Sequence, residues 1–170
     1  MCQNARTSEC GRRLGIAAGN VCKQGRWPGM KPVLWFRVAS ILLLIFAAGH
    51  TFGFLTFKAA STDGQAVWTS MNSVRLPMGK SSFTYGNFYI GFGLFVSALF
   101  ILEAFLAWYC GQLVSRYSAG AITLGWSLFI LQLVCLALSW RYFGGIQIVM
   151  SLLTVVTVSV ALWLTYRFAR

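Results

Sequence analysis

Four long apolar runs constrain this chain more than any other feature of its sequence. The first run reads VLWFRVASILLLIFAAGHTFGFLTF and holds only two ionisable side chains. An α-helix needs roughly 20 apolar residues to cross the hydrocarbon core of a bilayer, which is about 30 Å thick. Each of the four runs meets that length, so the sequence predicts four transmembrane helices. We place them at about residues 33–57, 88–110, 120–140 and 145–166.

The composition and the pattern of these runs exclude two other fold classes. Only 10% of the 170 residues are charged, whereas soluble domains carry about 25% charged residues. The strands of a β-barrel would alternate apolar and polar residues, and these runs do not. Helices also satisfy every backbone polar group inside the hydrocarbon. The predicted fold is therefore all-α, a four-helix transmembrane bundle. Short predicted turns at 111–119 and 141–144 give it an up-down-up-down topology.

A polar segment at residues 58–87 separates the first two spans. Its Asp63-Gly64 pair, its proline and its further glycines are turn and loop signals. Residues 65–74 within it are predicted to form a short helix at the membrane surface. Trp68 and its apolar neighbours would then face the lipid headgroups.

The distribution of Lys and Arg predicts that both termini lie in the cytoplasm. Cytoplasmic loops carry an excess of these residues. With the N-terminus inside, ten of the fourteen lie on the inner side and four on the outer side. The outer four are Lys58, Arg75, Lys80 and Arg141. A net charge of +11 in a soluble protein would suggest nucleic-acid binding. Here seven basic residues fall within the first 37 residues, at the first span, so no nucleic-acid partner is predicted.

Residues 1–32 are predicted to be a basic, disordered cytoplasmic tail. The segment is polar and rich in glycine, and it lacks helical periodicity. It also lacks the apolar region of a secretory signal peptide. An alternative stays open, because Met30-Lys31 directly before the first span looks like a natural start. The preceding segment would then be an artefact of an upstream start.

Two charged side chains lie inside the predicted spans. Arg37 lies near the cytoplasmic end of the first span, and Glu103 lies in the cytoplasmic half of the second. A charge at the centre of a span costs roughly 2.5–3.5 kcal/mol on insertion scales, so each one needs an account. Their similar depth predicts an ion pair between the two helices. Alternatively, Arg37 reaches to the membrane surface and leaves Glu103 as a proton-relay or cation site.

His50 is the only histidine, and it lies between Gly49 and Gly53. This G-x-x-x-G spacing allows two helices to approach closely, and Gly93 of the second span is a further candidate for helix packing. Four polar residues are predicted to share the depth of His50 and to line with it a half-polar pocket open to the outer leaflet. They are Asn87, Tyr89, Gln132 and Gln147. The simpler interpretation is one hydrogen bond from His50 to Tyr89 or to a backbone carbonyl.

No catalytic, metal or cofactor site is predicted. The five cysteines include no C-x-x-C pair. A lone histidine with no carboxylate or second histidine at its depth is not a metal site. The only acids are Glu9, Asp63 and Glu103, so no Ser-His-Asp set can be assembled.

Three sequence motifs resemble those of a family of small bacterial four-span membrane proteins. They are GHTFG at 49–53, RLPMG at 75–79 and FYIGFGL at 88–94. The likeness covers residues 31–170 and implies a bacterial inner-membrane protein, although the family implies no activity. Its members often carry Trp-Asp where this chain has Tyr-Gly-Asn at 85–87. The missing carboxylate weakens any role of the histidine in an acid–base pair.

Two classes of function follow from these residues. The first is a non-enzymatic membrane protein that binds a lipid-like or small apolar ligand, or a membrane partner, in the outer-leaflet pocket. The partner would be a second copy or another membrane protein. The second is a small membrane enzyme or proton-coupled carrier that uses His50 and Glu103. The scarcity of acids and the lack of a nucleophile set favour the first class.

Overall fold

A computed structural model of the chain describes residues 31–78 and 81–169. The predicted tail up to residue 30 and the question of an upstream start lie outside the described residues. The described part contains five helices and a two-stranded sheet. In chain order these are α1 (Lys31–Leu55), α2 (Thr62–Ser73), β1 (Arg75–Met78), β2 (Ser81–Thr84), α3 (Tyr85–Arg116), α4 (Ser118–Tyr142) and α5 (Gly145–Ala169).

Four of these helices, α1, α3, α4 and α5, are long and apolar enough to cross a membrane. α1, α4 and α5 each have 25 residues. At 1.5 Å per residue such a helix is about 38 Å long, which exceeds the hydrocarbon thickness of about 30 Å. The predicted all-α class with four long apolar helices is therefore confirmed.

α3 is longer than the predicted second span. It has 32 residues and ends at Arg116, and Tyr117 alone separates it from α4. The predicted turn beginning at Gly111 is absent, because Gly111 is buried within the helix against α1. A Cβ added there would lie 3.4 Å from the backbone oxygen of Val33. This glycine therefore permits close helix packing and does not form a turn.

The four long helices form a ring in which each packs mainly against two neighbours. α1 packs most extensively against α3 and also contacts α5, and α4 contacts α3 and α5. Phe36 of α1 lies beside both Gly111 of α3 and Gly125 of α4, and Leu162 of α5 also lies against Gly125. One end of the ring thus collects the start of α1, the end of α3, the start of α4 and the end of α5. We call this the termini end. The opposite end, which carries α2 and the strands, is the loop end.

The outside of the ring is strongly apolar, whereas its interior mixes apolar and polar side chains. Phe52, Phe95 and Phe105 are 71%, 60% and 63% exposed, as suits contact with lipid tails. Buried serines and threonines are common at helix contacts in membranes, and several here donate to a carbonyl oxygen one turn earlier. The buried polar residues are Ser40, Ser97, Glu103, Gln132, Ser139, Ser151, Thr154, Thr157 and Thr165.

The loop end holds α2 and an antiparallel β-hairpin against the start of α3. The hydroxyl of Ser61 accepts the N–H of Gly64 at 3.1 Å and caps α2. The hydroxyl of Thr84 caps α3 in the same way. Residues 62–73 are helical, close to the predicted surface helix at 65–74. The hairpin pairs Arg75 with Thr84 and has no counterpart in the sequence-based prediction.

Candidate functional site

His50 is bonded to α3, but deeper in the bundle than its predicted partners lie. Its Nδ1 is 3.1 Å from the Oγ of Ser97. The hydroxyl of Thr51 is 2.7 Å from the same oxygen, and Ser97 donates to the backbone oxygen of Gly93 at 3.1 Å. Ser97 is buried and lies about 18 Å along α3 from its first residue, at 1.5 Å per residue. The half-buried His50 therefore links α1 to α3 within the bundle.

Neither Asn87 nor Tyr89 forms the predicted hydrogen bond with His50, whose ring bonds to Ser97 instead. Asn87 is exposed in the first turn of α3. Tyr89 is 41% exposed, and its ring lies edge-on to Phe54 and Trp68, with centroids 6.5 Å and 6.0 Å away. The physical reason is that α2 brings Trp68 over the start of α3. Tyr89 thus finds an aromatic partner outside the ring of long helices.

Gln132 and Gln147 also lie apart from His50. Gln132 is 1% exposed and donates a hydrogen bond to Glu103. Gln147 is half-buried in the first turn of α5. The polar residues predicted to surround His50 are therefore divided among separate parts of the bundle and do not gather into one pocket.

The predicted helix-packing glycines behave differently from one another. Gly49 and Gly53 are exposed, and a Cβ added to either would meet nothing within 4 Å. This G-x-x-x-G pair therefore does not lie at a close crossing of the described helices. A Cβ added at Gly93 would lie 2.9 Å from the ring of Phe54. Gly111, which was predicted to lie in a turn, is the glycine whose added Cβ would touch the backbone of α1.

Arg37 and Glu103 do not form the predicted ion pair. Arg37 is exposed, and its guanidinium carbon lies 5.0 Å from the ring centre of Trp108. Glu103 is buried and faces Gln132 of α4. The cause is helix rotation, because Phe36 faces the core and its neighbour Arg37 points about 100° away from it. The geometry matches the alternative in which Arg37 extends away from Glu103.

A concave groove lies between α4 and α5 at the termini end, with a volume of about 440 Å³. We call it the α4–α5 groove. This volume lies within the usual range of roughly 300–1,000 Å³ for ligand sites. The groove is lined by Trp126, Phe129, Ser159, Leu162, Trp163, Tyr166 and Arg167. The rings of Trp126 and Phe129 meet edge to face at 5.4 Å, which gives one wall an aromatic surface.

Arg167 supplies the only formal charge among the residues that line this groove. Its guanidinium carbon lies 4.6 Å from the ring centre of Trp163, one turn earlier in α5. Ser159 lies about 12 Å along α5 from Arg167, at 1.5 Å per residue. The groove therefore runs from a basic end near the terminus of α5 toward the middle of the bundle.

Sequence reasoning misses this groove and the role of Ser97, although a weak signal exists for each. Trp163, Tyr166 and Arg167 are spaced three and four residues apart, which places them on one face of a helix. Ser97 follows Gly93 by four residues and so shares its face of α3. Neither spacing shows which helix lies opposite. That information comes only from the packed bundle.

Within residues 31–78 and 81–169, no three His, Cys, Asp or Glu side chains form a group that could hold a metal ion. Comparison of the chain with family models, with curated proteins and with solved structures finds no match. The functional proposals therefore rest on the geometry of the described residues.

Proposed function

We propose that this chain is a multi-pass protein of the bacterial cytoplasmic membrane that binds an anionic phospholipid in the α4–α5 groove. In this proposal the long helices run up-down-up-down and both termini lie in the cytoplasm. The excess of Lys and Arg on the side of the termini supports that orientation. The resemblance of the motifs at 49–53, 75–79 and 88–94 to those of small bacterial four-span proteins supports the bacterial membrane. The proposed role is ligand binding and not catalysis.

Arg167 at the end of the groove is the observation that carries the proposal. A guanidinium presents its N–H donors in a fixed fork that matches phosphate oxygens. The cation–π contact with Trp163 restricts the side chain before a ligand arrives. Basic pockets between membrane helices on the cytoplasmic side bind anionic headgroups. With no acid among the lining residues, the positive charge remains available to a phosphate.

The rest of the groove suits an acyl chain. Trp126, Phe129 and Leu162 give it an apolar lining. Its extent of about 12 Å between Arg167 and Ser159 approaches half of the hydrocarbon thickness of about 30 Å. A phospholipid with its phosphate at Arg167 would therefore place one acyl chain along the groove within a single leaflet.

A smaller groove at the loop end is a poorer fit to the same ligand. Its volume is about 300 Å³, and it lies between α2 and Tyr89, with Phe57, Val67 and Trp68 in its lining. None of its lining residues is charged, so it offers no counterpart to a phosphate. Binding there would be governed by apolar contact alone.

The proposal is tested by native mass spectrometry of the protein purified in mild detergent and mixed with phosphatidylglycerol or phosphatidylcholine. We expect the wild type to retain phosphatidylglycerol in preference to phosphatidylcholine. Arg167→Gln should weaken phosphatidylglycerol binding about fivefold, since one basic residue near the surface contributes about 1 kcal/mol to anionic-lipid attraction. Ser159→Phe, which fills the deep end, should weaken the binding of both lipids.

Arg141→Gln is the matched control. Arg141 also stacks on an aromatic ring, that of Tyr142 at 5.3 Å, but it lies at the loop end and outside the α4–α5 groove. Its replacement should leave lipid retention unchanged. Equal losses in the two arginine variants, or no loss in Arg167→Gln, would contradict the assignment of the headgroup site.

A further inference from the structure

Glu103 and Gln132 form an isolated polar pair in the middle of the bundle. Glu103 is 6% exposed and Gln132 is 1% exposed. The Nε2 of Gln132 donates to the Oε2 of Glu103. Glu103 lies about 20 Å along α3 from Arg116, and Gln132 lies about 21 Å along α4 from Ser118, at 1.5 Å per residue. The pair is therefore far from both ends of its helices.

The charged and titratable groups around this pair supply no cation for a carboxylate. On α1, Arg37 is stacked on Trp108, and His50 is bonded to Ser97, with the ring of Phe100 beside it at 6.1 Å. α3 itself adds the thiol of Cys110, and α4 adds that of Cys135. α5 has no titratable side chain before Tyr166. Within residues 31–78 and 81–169, Glu103 thus has an amide partner but no cation.

An ionised Glu103 would be costly in this setting for two reasons. A buried charge without a counter-charge is strongly destabilising in a membrane interior. A carboxylate can also only accept hydrogen bonds, so it leaves the second polar atom of its partner unused. That atom, the Oε1 of Gln132, is buried and has no hydrogen-bond partner among the described residues.

A proton on Glu103 resolves both problems together. The protonated carboxyl would donate from one oxygen to the Oε1 of Gln132, while its other oxygen accepts from Nε2. An acid and an amide then form two hydrogen bonds side by side, and no buried polar atom of the pair is left unused. We propose that Glu103 and Gln132 form an intramembrane proton-binding site between α3 and α4. This site is independent of the proposed lipid groove.

The small number of acids in the chain allows a direct test. Glu9 and Glu103 are its only glutamates, so a Glu9→Gln variant labelled with ¹³C at the glutamate side-chain carboxyl reports on Glu103 alone. Infrared spectra of this variant in lipid vesicles at neutral pH should show the label in the carbonyl band of a protonated carboxylic acid. Gln132→Leu, which removes the amide at similar volume, should shift that band, because the carboxyl loses its partner.

Two further variants are controls. The first tests whether another acid affects the labelled band, and the second tests whether a neutral side chain at position 103 keeps the bundle stable. Asp63→Asn removes the exposed acid in the first turn of α2 and should leave the labelled band unchanged. Glu103→Gln keeps a neutral hydrogen-bonding group, so its thermal stability should stay close to that of the wild type. A labelled band of an ionised carboxylate at neutral pH would overturn the proposal, whether or not Glu103→Gln folds.

Discussion

At the scale of single residues, short side chains decide which polar groups meet in this bundle. His50 contacts Ser97, whose hydroxyl is close to the backbone of α3, and also lies 5.3 Å from the ring of Phe54. The position of Tyr89 along the chain predicts a hydrogen bond with His50, yet its ring packs against Phe54 and Trp68 instead. Equal depth in the membrane therefore does not predict that two polar residues bond to each other, because it does not show which way each side chain points around its helix.

The contact between His50 and Ser97 predicts a measurable coupling in a double-mutant cycle. The combined His50→Ala and Ser97→Ala change should cost less free energy of unfolding than the two single changes added together. The difference should be about 0.6 kcal/mol, which is the mean for interhelix hydrogen bonds in membranes, and no more than about 1.7 kcal/mol. Unfolding in mixed micelles with increasing denaturing detergent measures these values.

A parallel cycle with Tyr89→Phe is the control, because the hydroxyl of Tyr89 is not bonded to His50 in the structure. Its coupling to His50→Ala should be close to zero. A larger coupling to Tyr89 than to Ser97 would show that the sequence-based partner is the correct one.

At the scale of helices, α1 and α3 form the most extensive contact, and Gly111 of α3 lies directly against α1 at the termini end. A Cβ at Gly111 would lie 3.4 Å from the backbone oxygen of Val33 and 3.5 Å from the Cβ of Phe36. The more conspicuous motif, Gly49 with Gly53, faces open space. The glycine that lies against the backbone of α1 is therefore one that has no glycine motif around it.

Enlarging Gly111 should destabilise the bundle, whereas enlarging Gly49 should not. Gly111→Leu drives a branched side chain into the backbone of α1 and should cost about 1–3 kcal/mol, the usual penalty for overpacking. Gly49→Leu adds an apolar side chain on an exposed face, and leucine also favours a helix more than glycine does. Thermal unfolding in detergent should rank Gly49→Leu at or above the wild type and Gly111→Leu below both. The reverse ranking would refute the assigned close contact.

At the scale of the whole molecule, the ring of helices has an apolar exterior and buried polar side chains in its interior. This distribution suits a bundle surrounded by lipid. In the proposed orientation, α2 and the hairpin lie on the outer side of the cytoplasmic membrane, and the α4–α5 groove lies in the cytoplasmic leaflet. The orientation decides only which leaflet the bound lipid would occupy, because the groove and its arginine are the same in either orientation. The proton site lies near the middle of the bundle and is insensitive to it.

The orientation predicts the accessibility of cysteines introduced at the two ends. In a background without native cysteines, Ala60→Cys before α2 should react with a membrane-impermeant thiol reagent added to intact cells. Ser115→Cys near the end of α3 should react only after the cells are permeabilised. Both native side chains are exposed, so burial does not explain a difference. If only Ser115→Cys were labelled in intact cells, the true orientation would be the reverse of the proposed one.

The sequence by itself determined the four long helices of this protein. Their formation depends on the length and apolarity of each run and on the need to satisfy backbone groups in lipid, which are local properties. The sequence also predicted a short helix after the first span, at 65–74, and the structure has one at Thr62–Ser73. The ends of α3 were not, because Gly111 has the local character of a turn and only its packing against α1 makes it helical.

Only the tertiary structure decided which side chains meet. The rotation of each helix about its axis and the choice of its neighbours follow from packing four apolar surfaces at once, and small changes in rotation redirect every side chain. For that reason Glu103 is bonded to Gln132 and not to Arg37. For the same reason Arg167 ends beside a groove that no spacing along a single helix could reveal.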